Sequence, residues 1–573
     1  MKKKNIMGSA AAIISTAAIA GTAVFAAKEY TADDLKKLNS ALLGESDFIQ
    51  GQDVDGDNVI DVFDFIKMRE SFASTGEFAE QTINITDKNT KYIGRNIYDD
   101  NKITWLVQSG SAVEFTVNAK SAEITINGDG HTESDEKYRP RYAVIVDGEI
   151  ILDELLSVKE KTVKLFEGTA ARTATVKVIH LSEANNGAVG VSSIKVDSDS
   201  PVPVAPTAKK ELSIEFIGDS ITCAYGVEGE SQYEGFMTST ENFMKSYAYL
   251  TAKQLDADYS AVCYSGHGIV SGYSSSGDAV TDSLVPDYYD YVGKIGSYKT
   301  PWNFESHQND VIVINLGTND NTYCSKDYET RGLEYAEKYA EFLTHIHEVN
   351  PDAYIICTVG TMGCTEMYPY IEMAVDSFKK SSGYDRIMSY QSATHTQSDG
   401  YGSDWHPAPG TQQNSAYVLA DKICQALGME SDQIGLNVAA DAVFSSETDD
   451  TANMSAYYSE WDNSYHITTV DGGDTKESIQ AFVSGIDLKK GGKYRLSFKI
   501  ETSDGAEIPF VIRSKSTGEV IFEDTFVGTG TKSPYEKEIE SAVTAADAEI
   551  VFSLGGTNNL RMSIHEVKAV KFG

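Results

Sequence analysis

The 573-residue chain carries 85 acidic against 48 basic residues, a formal net charge of −37, and 41% of its residues are hydrophobic. That length predicts three or four domains, with enough apolar side chains for each to build a core. So negative a field disfavours nucleic acid and anionic membrane surfaces as partners and suits a secreted protein that meets neutral ones.

The opening stretch MKKKNIMGSAAAIISTAAIAGTAVFAA joins three lysines to an Ala-rich apolar run that ends in small residues. It predicts a secretory signal over 1–26, cut after Ala26 or Ala27, with an uncleaved anchor as the alternative. No later run is apolar enough to span a bilayer, and the mature chain is expected outside the cell.

Residues 28–78 read as a short helical module around the loop DVDGDNVIDVFD. Asp53, Asp55, Asp57, Asp61 and Asp64 fall at loop positions 1, 3, 5, 9 and 12, with the Val59 carbonyl at 7. This is the oxygen-rich spacing that a calcium ion takes, a solvated acidic turn being the alternative. Together with the following VFDFIKMRESF, the loop resembles one repeat of a dockerin. The resemblance implies one structural Ca2+ and docking onto a cohesin of a scaffold protein at the cell surface. Where a first repeat would stand, YTADDLKKLNSALLG keeps the helix and lacks the metal loop.

From 80 to 200 the pattern changes to short alternating runs such as AVEFTV, YAVIVDGEIIL and ATVKVIHL. Turn residues separate them, which predicts an antiparallel β-domain of jelly-roll type. The Pro-punctuated DSPVPVAPTAKK then serves as a linker. Over 210–430, the apolar runs LSIEFIG, YSAVCYSG, DVIVINLGTND and AYIICTVG alternate with helical stretches such as EYAEKYAEFLTHIHEVN. Strands alternating with helices predict a parallel sheet covered on both faces. All six cysteines lie in this segment; their spacing matches no zinc site, and no disulfide is assigned. Strand patterns return over 434–573, predicting a β-sandwich. Its GGKYRLSFKIE is similar to sandwich-type carbohydrate-binding modules, a lid or spacer being the alternative.

In an open α/β sheet, ligands bind beyond the carboxyl ends of the strands. The first strand of 210–430 ends in Gly218-Asp219-Ser220, the second in Ser265-Gly266-His267-Gly268 and the third in Gly317-Thr318-Asn319-Asp320. GSDWHPAPGTQ places His406 just before the last helix. Taken alone, Ser220 reads first as a helix N-cap; four polar motifs on one edge reverse that reading in favour of a nucleophile with His406 as its base. The N–H groups of Ser220 and Gly266 and the Asn319 amide would form an oxyanion hole. His267 and Trp405 are candidate substrate-binding residues, with surface and packing roles as the respective alternatives. Asp219 and Asp320 read as backbone-fixing residues.

This order of motifs resembles the SGNH hydrolases. With the β-domain in front, KYIGRN near its start and DWHP at the histidine, it resembles carbohydrate esterase family 2. The resemblance implies a secreted serine esterase that removes acetyl groups from plant polysaccharides such as xylan and glucomannan, without a catalytic cofactor. SGNH hydrolases usually place an orienting Asp three residues before the His, where this chain has Ser403. Asp404 is the nearest carboxylate and the candidate third catalytic residue, with a backbone carbonyl as the alternative holder of His406. Two rival functions remain at this stage: an esterase for another ester, such as an acetylated pectin or a lipid, and a noncatalytic carbohydrate-binding scaffold component.

Overall fold

A computed structural model describes residues 30, 32–42, 47–48, 52–54, 59–75, 79–294 and 296–572. The expected signal segment and loop residues Asp55 and Asp57 lie outside the described residues. In the N-terminal module, helices Ala32–Leu42 and Val62–Thr75 close on Leu35, Leu38 and Met68. Asp64 is buried, and its carboxylate accepts the Asp61 N–H at 2.8 Å and the Val54 N–H at 2.5 Å.

The expected strands of 80–200 form one ten-stranded antiparallel sheet. Its longest pair joins Ala112–Gly128 to Glu160–His180, and the register shifts around Lys120. Such bulges bend a strand. Before the bend, Ala112–Gly128 pairs with Lys91–Ile93 and Val204–Pro206; beyond it the partner is Val189–Ser198. One strand thereby lines both halves of the core around Phe115, Val117, Ile124 and Ile126.

Residues 210–430 form a five-stranded, wholly parallel sheet. Its strands are β1 (Ser213–Gly218), β2 (Asp258–Cys263), β3 (Val311–Asn315), β4 (Tyr354–Val359) and β5 (Ile387–Gln391). The spatial order is β2-β1-β3-β4-β5, which places the reversal of strand order between β1 and β3. The central strands are buried on both faces, as near-continuous apolar runs require. Helix Leu333–Val349 turns Tyr335, Tyr339, Phe342 and Ile346 onto one face, a spacing of three and four residues. Tyr247–Gln254 and Pro409–Leu427 cover the other face.

The C-terminal strands form two five-stranded antiparallel sheets that share one core, including Phe498, Phe510 and Phe552. Lys493–Thr502 alternates buried and exposed side chains along its length, as a sandwich strand with one wet face does.

The β-domain and the parallel sheet meet through charge. Glu215, in the middle of β1, is buried together with Arg95 of the β-domain, and their side chains pair at 3.0 Å. Arg95 also donates to the Tyr289 and Tyr291 carbonyls, while the Tyr289 hydroxyl donates to Glu215 at 2.7 Å. Lys91 spans the same joint to Asp258 at 2.8 Å. The KYIGRN motif is thus a domain clamp. Removing one member of a buried pair leaves an uncompensated charge, at a cost of about 3–5 kcal/mol. Arg95→Met is therefore expected to destabilise the chain by about that amount, and Arg95→Met with Glu215→Met to recover most of it. Calorimetric melting of both variants checks this; equal losses would show that packing, not charge, dominates the joint.

Candidate active site

β1 ends at Gly218, and the chain turns at once into the short helix Ser220–Cys223. A Cβ on Gly218 would lie 2.0 Å from Thr222 Oγ1, so only glycine permits the turn to close this tightly. Asp219 caps the helix, accepting the Ile221 N–H at 3.0 Å. The capping role open to Ser220 is therefore filled by its neighbour. The Ser220 hydroxyl instead meets His406 Nε2 at 2.9 Å.

His406 follows the turn Ser403–Trp405, in which Asp404 and Trp405 have φ of 48° and 63°. Left-handed backbone costs a non-glycine residue roughly 1–2 kcal/mol. The turn aims two main-chain carbonyls, those of Ser403 and Asp404, at His406 Nδ1, each at 3.1 Å. With Nδ1–H donating there, the Nε2 lone pair faces Ser220 and can accept its proton.

Asp404 is a predicted site residue whose expected role the geometry corrects. Its carboxylate does not reach the imidazole; it accepts the Tyr225 hydroxyl at 2.6 Å. The offset of two residues, rather than three, turns the side chain outward and leaves only its carbonyl on the ring. Tyr225 in turn stacks on His406, with centroids 4.1 Å apart and planes at 30°. Burial pushes the His406 pKa down to about 4, against the upward pull of the two carbonyls and the Asp404 charge.

The second motif forms the loop after β2. Between Tyr264 and Ser274, every backbone N–H except that of Gly266 has an acceptor among the described residues. Asp320 alone takes three, from Ile269, Val270 and Ser271, at 2.7–3.1 Å on one oxygen. Gly266 has φ of 76°, and a Cβ there would meet nothing within 4 Å. Its glycine is required by backbone conformation, and its N–H is the group the loop leaves for a ligand. The Asn319 amide lies beside it, donating to the His267 carbonyl at 2.9 Å and facing Asp219 at 3.4 Å. Burial raises the pKa of Asp219 to about 7 and of Asp320 to about 6.

His267 Nδ1 bonds the Ser265 carbonyl at 2.9 Å, and Lys294 donates to Nε2 at 2.8 Å. Its ring is thus committed to the protein on both nitrogens. Trp405 is 47% exposed and lies near two tyrosine rings: Tyr233, edge-on at 5.8 Å, and Tyr401 at 5.1 Å. An exposed aromatic group next to His406 in the chain is a surface on which a sugar ring can stack. Sequence reasoning missed Tyr225 and Lys294 and offered a backbone carbonyl for His406 only as the alternative to Asp404, since nothing in CAYG or GSDWHP signals a ring stack or a left-handed turn. For the acidic loop, Asp53, Val59, Asp61 and Asp64 are described. Among the described residues, no three His, Cys, Asp or Glu side chains converge.

Compared with known families, residues 92–206 match the carbohydrate esterase 2 N-terminal family, and residues 216–388 match the GDSL-like lipase/acylhydrolase family. The chain is similar to the cellulase/esterase CelE of Acetivibrio thermocellus, 31% identical over 341 residues, covering 59% of this chain and 39% of that protein. It is 26% identical over 349 residues to an acetylxylan esterase / glucomannan deacetylase of Cellvibrio japonicus, covering 60% of this chain and 91% of the relative. Among solved structures, a family two carbohydrate esterase from Clostridium thermocellum, in complex with cellohexaose, is 30% identical. The match covers 59% of this chain and 99% of that one, with a TM-score of 0.52.

The geometry divides the roles of Asp404 and His406. Reaction of Ser220 with a phosphonylating reagent is expected to fall by about 1000-fold or more in His406→Ala, and by about 10-fold or less in Asp404→Asn and Tyr225→Phe. Stopped-flow trapping measures all three. A loss in Asp404→Asn equal to that in His406→Ala would restore the carboxylate as the orienting group.

Proposed function

We propose, from the premise that this chain belongs to carbohydrate esterase family 2, that it is a secreted serine esterase releasing acetate from plant cell-wall polysaccharide. The observation that carries this reading is the Ser220–His406 contact beside the one vacant N–H of the Gly266 loop. Ser220 Oγ attacks the acetyl carbonyl while His406 Nε2 takes its proton. The oxyanion is held by the N–H groups of Ser220 and Gly266 and by the Asn319 amide. Collapse breaks the ester bond, His406 returns the proton to the departing sugar hydroxyl, and an acetyl-enzyme remains. Water, deprotonated by His406, then frees acetate and regenerates Ser220.

Xylan and glucomannan are favoured as substrates because the Cellvibrio relative is named for both. The exposed ring of Trp405 supports a sugar polymer in the cleft over a lipid chain. A purely adhesive role would need neither the serine–histidine contact nor a vacant donor beside it. The C-terminal sandwich is read as a carbohydrate-binding module, for which the exposed Tyr457, Tyr458 and Trp461 offer stacking faces.

The N-terminal module is read as a calcium-dependent docking element for a cohesin-like scaffold protein. Its donors suit calcium: Asp64 is anchored by two backbone N–H groups, and Asp53, Asp55, Asp57, Asp61 and the Val59 carbonyl supply hard oxygen atoms. Val62, Phe63 and Ile66 are exposed on the following helix, an apolar face for a partner. Calorimetry on the full chain should detect one calcium site, lost in the double variant Asp53→Ala, Asp64→Ala. A flat wild-type titration would remove the metal from this reading.

Acetate release from acetylated xylan, acetylated glucomannan and an aryl acetate tests the catalytic reading. Wild type should release acetate, and Ser220→Ala should lose it by about 10⁴-fold or more. Only neutral His406 can accept the proton, and its pKa is lowered to about 4. The acid limb of kcat/KM should therefore lie near pH 4, well below that of an ordinary imidazole. A limb at pH 6 to 7 would contradict the burial argument, and Ser220-independent release would overturn the mechanism.

A further inference from the structure

The oxyanion loop is completed by a side chain from the other domain. Glu183 lies in the β-domain, in the turn between strands Glu160–His180 and Val189–Ser198, and is 3% exposed. Its Oε2 accepts the Ser265 N–H at 2.8 Å, one residue before the vacant N–H of Gly266. Asn185 donates to the same oxygen at 3.1 Å. Glu241 stands behind, fully buried, with its carboxylate accepting the Glu183 N–H at 3.2 Å. The Gly266 peptide is thus bracketed by two carboxylates: Glu183 fixes the N–H before it, and Asp320 fixes those of residues 269–271 after it.

From this bracket we infer that Glu183 is a positioning residue for the oxyanion hole, through which the β-domain takes part in catalysis. The inference rests on the esterase reading above. A peptide that pivots at Ser265 re-aims the Gly266 N–H, and an oxyanion donor acts mainly in the transition state. Losing the Glu183 acceptor should therefore lower kcat while leaving KM nearly unchanged. The need is for an acceptor oxygen rather than for charge. Burial holds the Glu183 carboxyl above its ordinary range, so a neutral amide of the same shape is a close substitute.

The experiment is steady-state hydrolysis of an aryl acetate by the full chain, normalised to sites titrated with a phosphonylating reagent. Glu183→Met keeps the volume and removes the acceptor; it is expected to lose about 10- to 100-fold in kcat per titrated site, with KM within about twofold. Glu183→Gln retains the acceptor and should stay within about threefold of wild type. Glu183→Asp withdraws the carboxyl by one methylene, should resemble the Met variant, and supplies the same comparison if that variant does not accumulate. A residue that served folding alone would lower the number of titratable sites and leave kcat per site unchanged. Undiminished kcat per site in Glu183→Met and Glu183→Asp, or equal losses in the Gln and Met variants, would overturn the inference while wild type remains active. An inactive wild type would overturn the esterase reading and this inference together.

Discussion

A carboxylate in the middle of a strand buried on both faces has to be met by a cation, and the cation that meets Glu215 comes from another domain. Leaving either charge alone in that interior is far costlier than burying both as a hydrogen-bonded pair. The Arg95–Glu215 pair therefore binds the β-domain to the first strand of the parallel sheet, with Tyr289 holding the second carboxylate oxygen. Lys91–Asp258 and Arg141–Glu228 cross the same joint at 2.8 and 2.6 Å. Five residues beyond Glu215 stands Ser220, so the clamp acts on the strand that delivers the serine. The β-domain is a part of the catalytic body rather than an appendage to it.

Buried acids also shape the catalytic edge. Asp219 caps the helix of Ser220, Asp320 gathers three N–H groups of the Gly266 loop, and Glu183 holds a fourth. Irregular backbone inside a protein must find acceptors for its N–H groups, and here carboxylates supply them. Desolvation raises the pKa of each acid, but the converging donors compensate part of the cost. The outcome is a rigid loop with one N–H held in reserve. Electrostatic stabilisation of this kind depends on donors fixed before the charge develops.

The imidazole is held differently from the rest of the site. Two carbonyls on Nδ1 fix its tautomer, as a carboxylate would, but they bring no full negative charge to the ring. Burial then dominates and keeps His406 neutral well into acidic solution. The left-handed backbone of Asp404 and Trp405 is the strain that aims those carbonyls, and the Tyr225–Asp404 bond helps to keep it in place. Strain of this kind persists only where neighbouring contacts over-determine it. The same turn presents Trp405 to solvent, so one local distortion both holds the base and exposes an aromatic ring next to it.

Much of this was legible in the sequence, because period and punctuation are local properties. Apolar runs alternating with helical stretches determined the parallel sheet, and alternating runs determined the two β-domains. The convergence of Ser220, Gly266, Asn319 and His406 followed from their places at strand ends and at the start of the last helix. What the sequence could not carry was direction and partnership. Whether Asp404 offers its carboxylate or its carbonyl depends on two backbone angles, and that choice rests on a tyrosine 179 residues away. Arg95 and Glu215 lie 120 residues apart, and Glu183 reaches Ser265 across 82. No periodicity links such pairs. They are decided only when distant parts of the chain, within one domain or across two, close on each other and every buried charge and N–H has to find its complement.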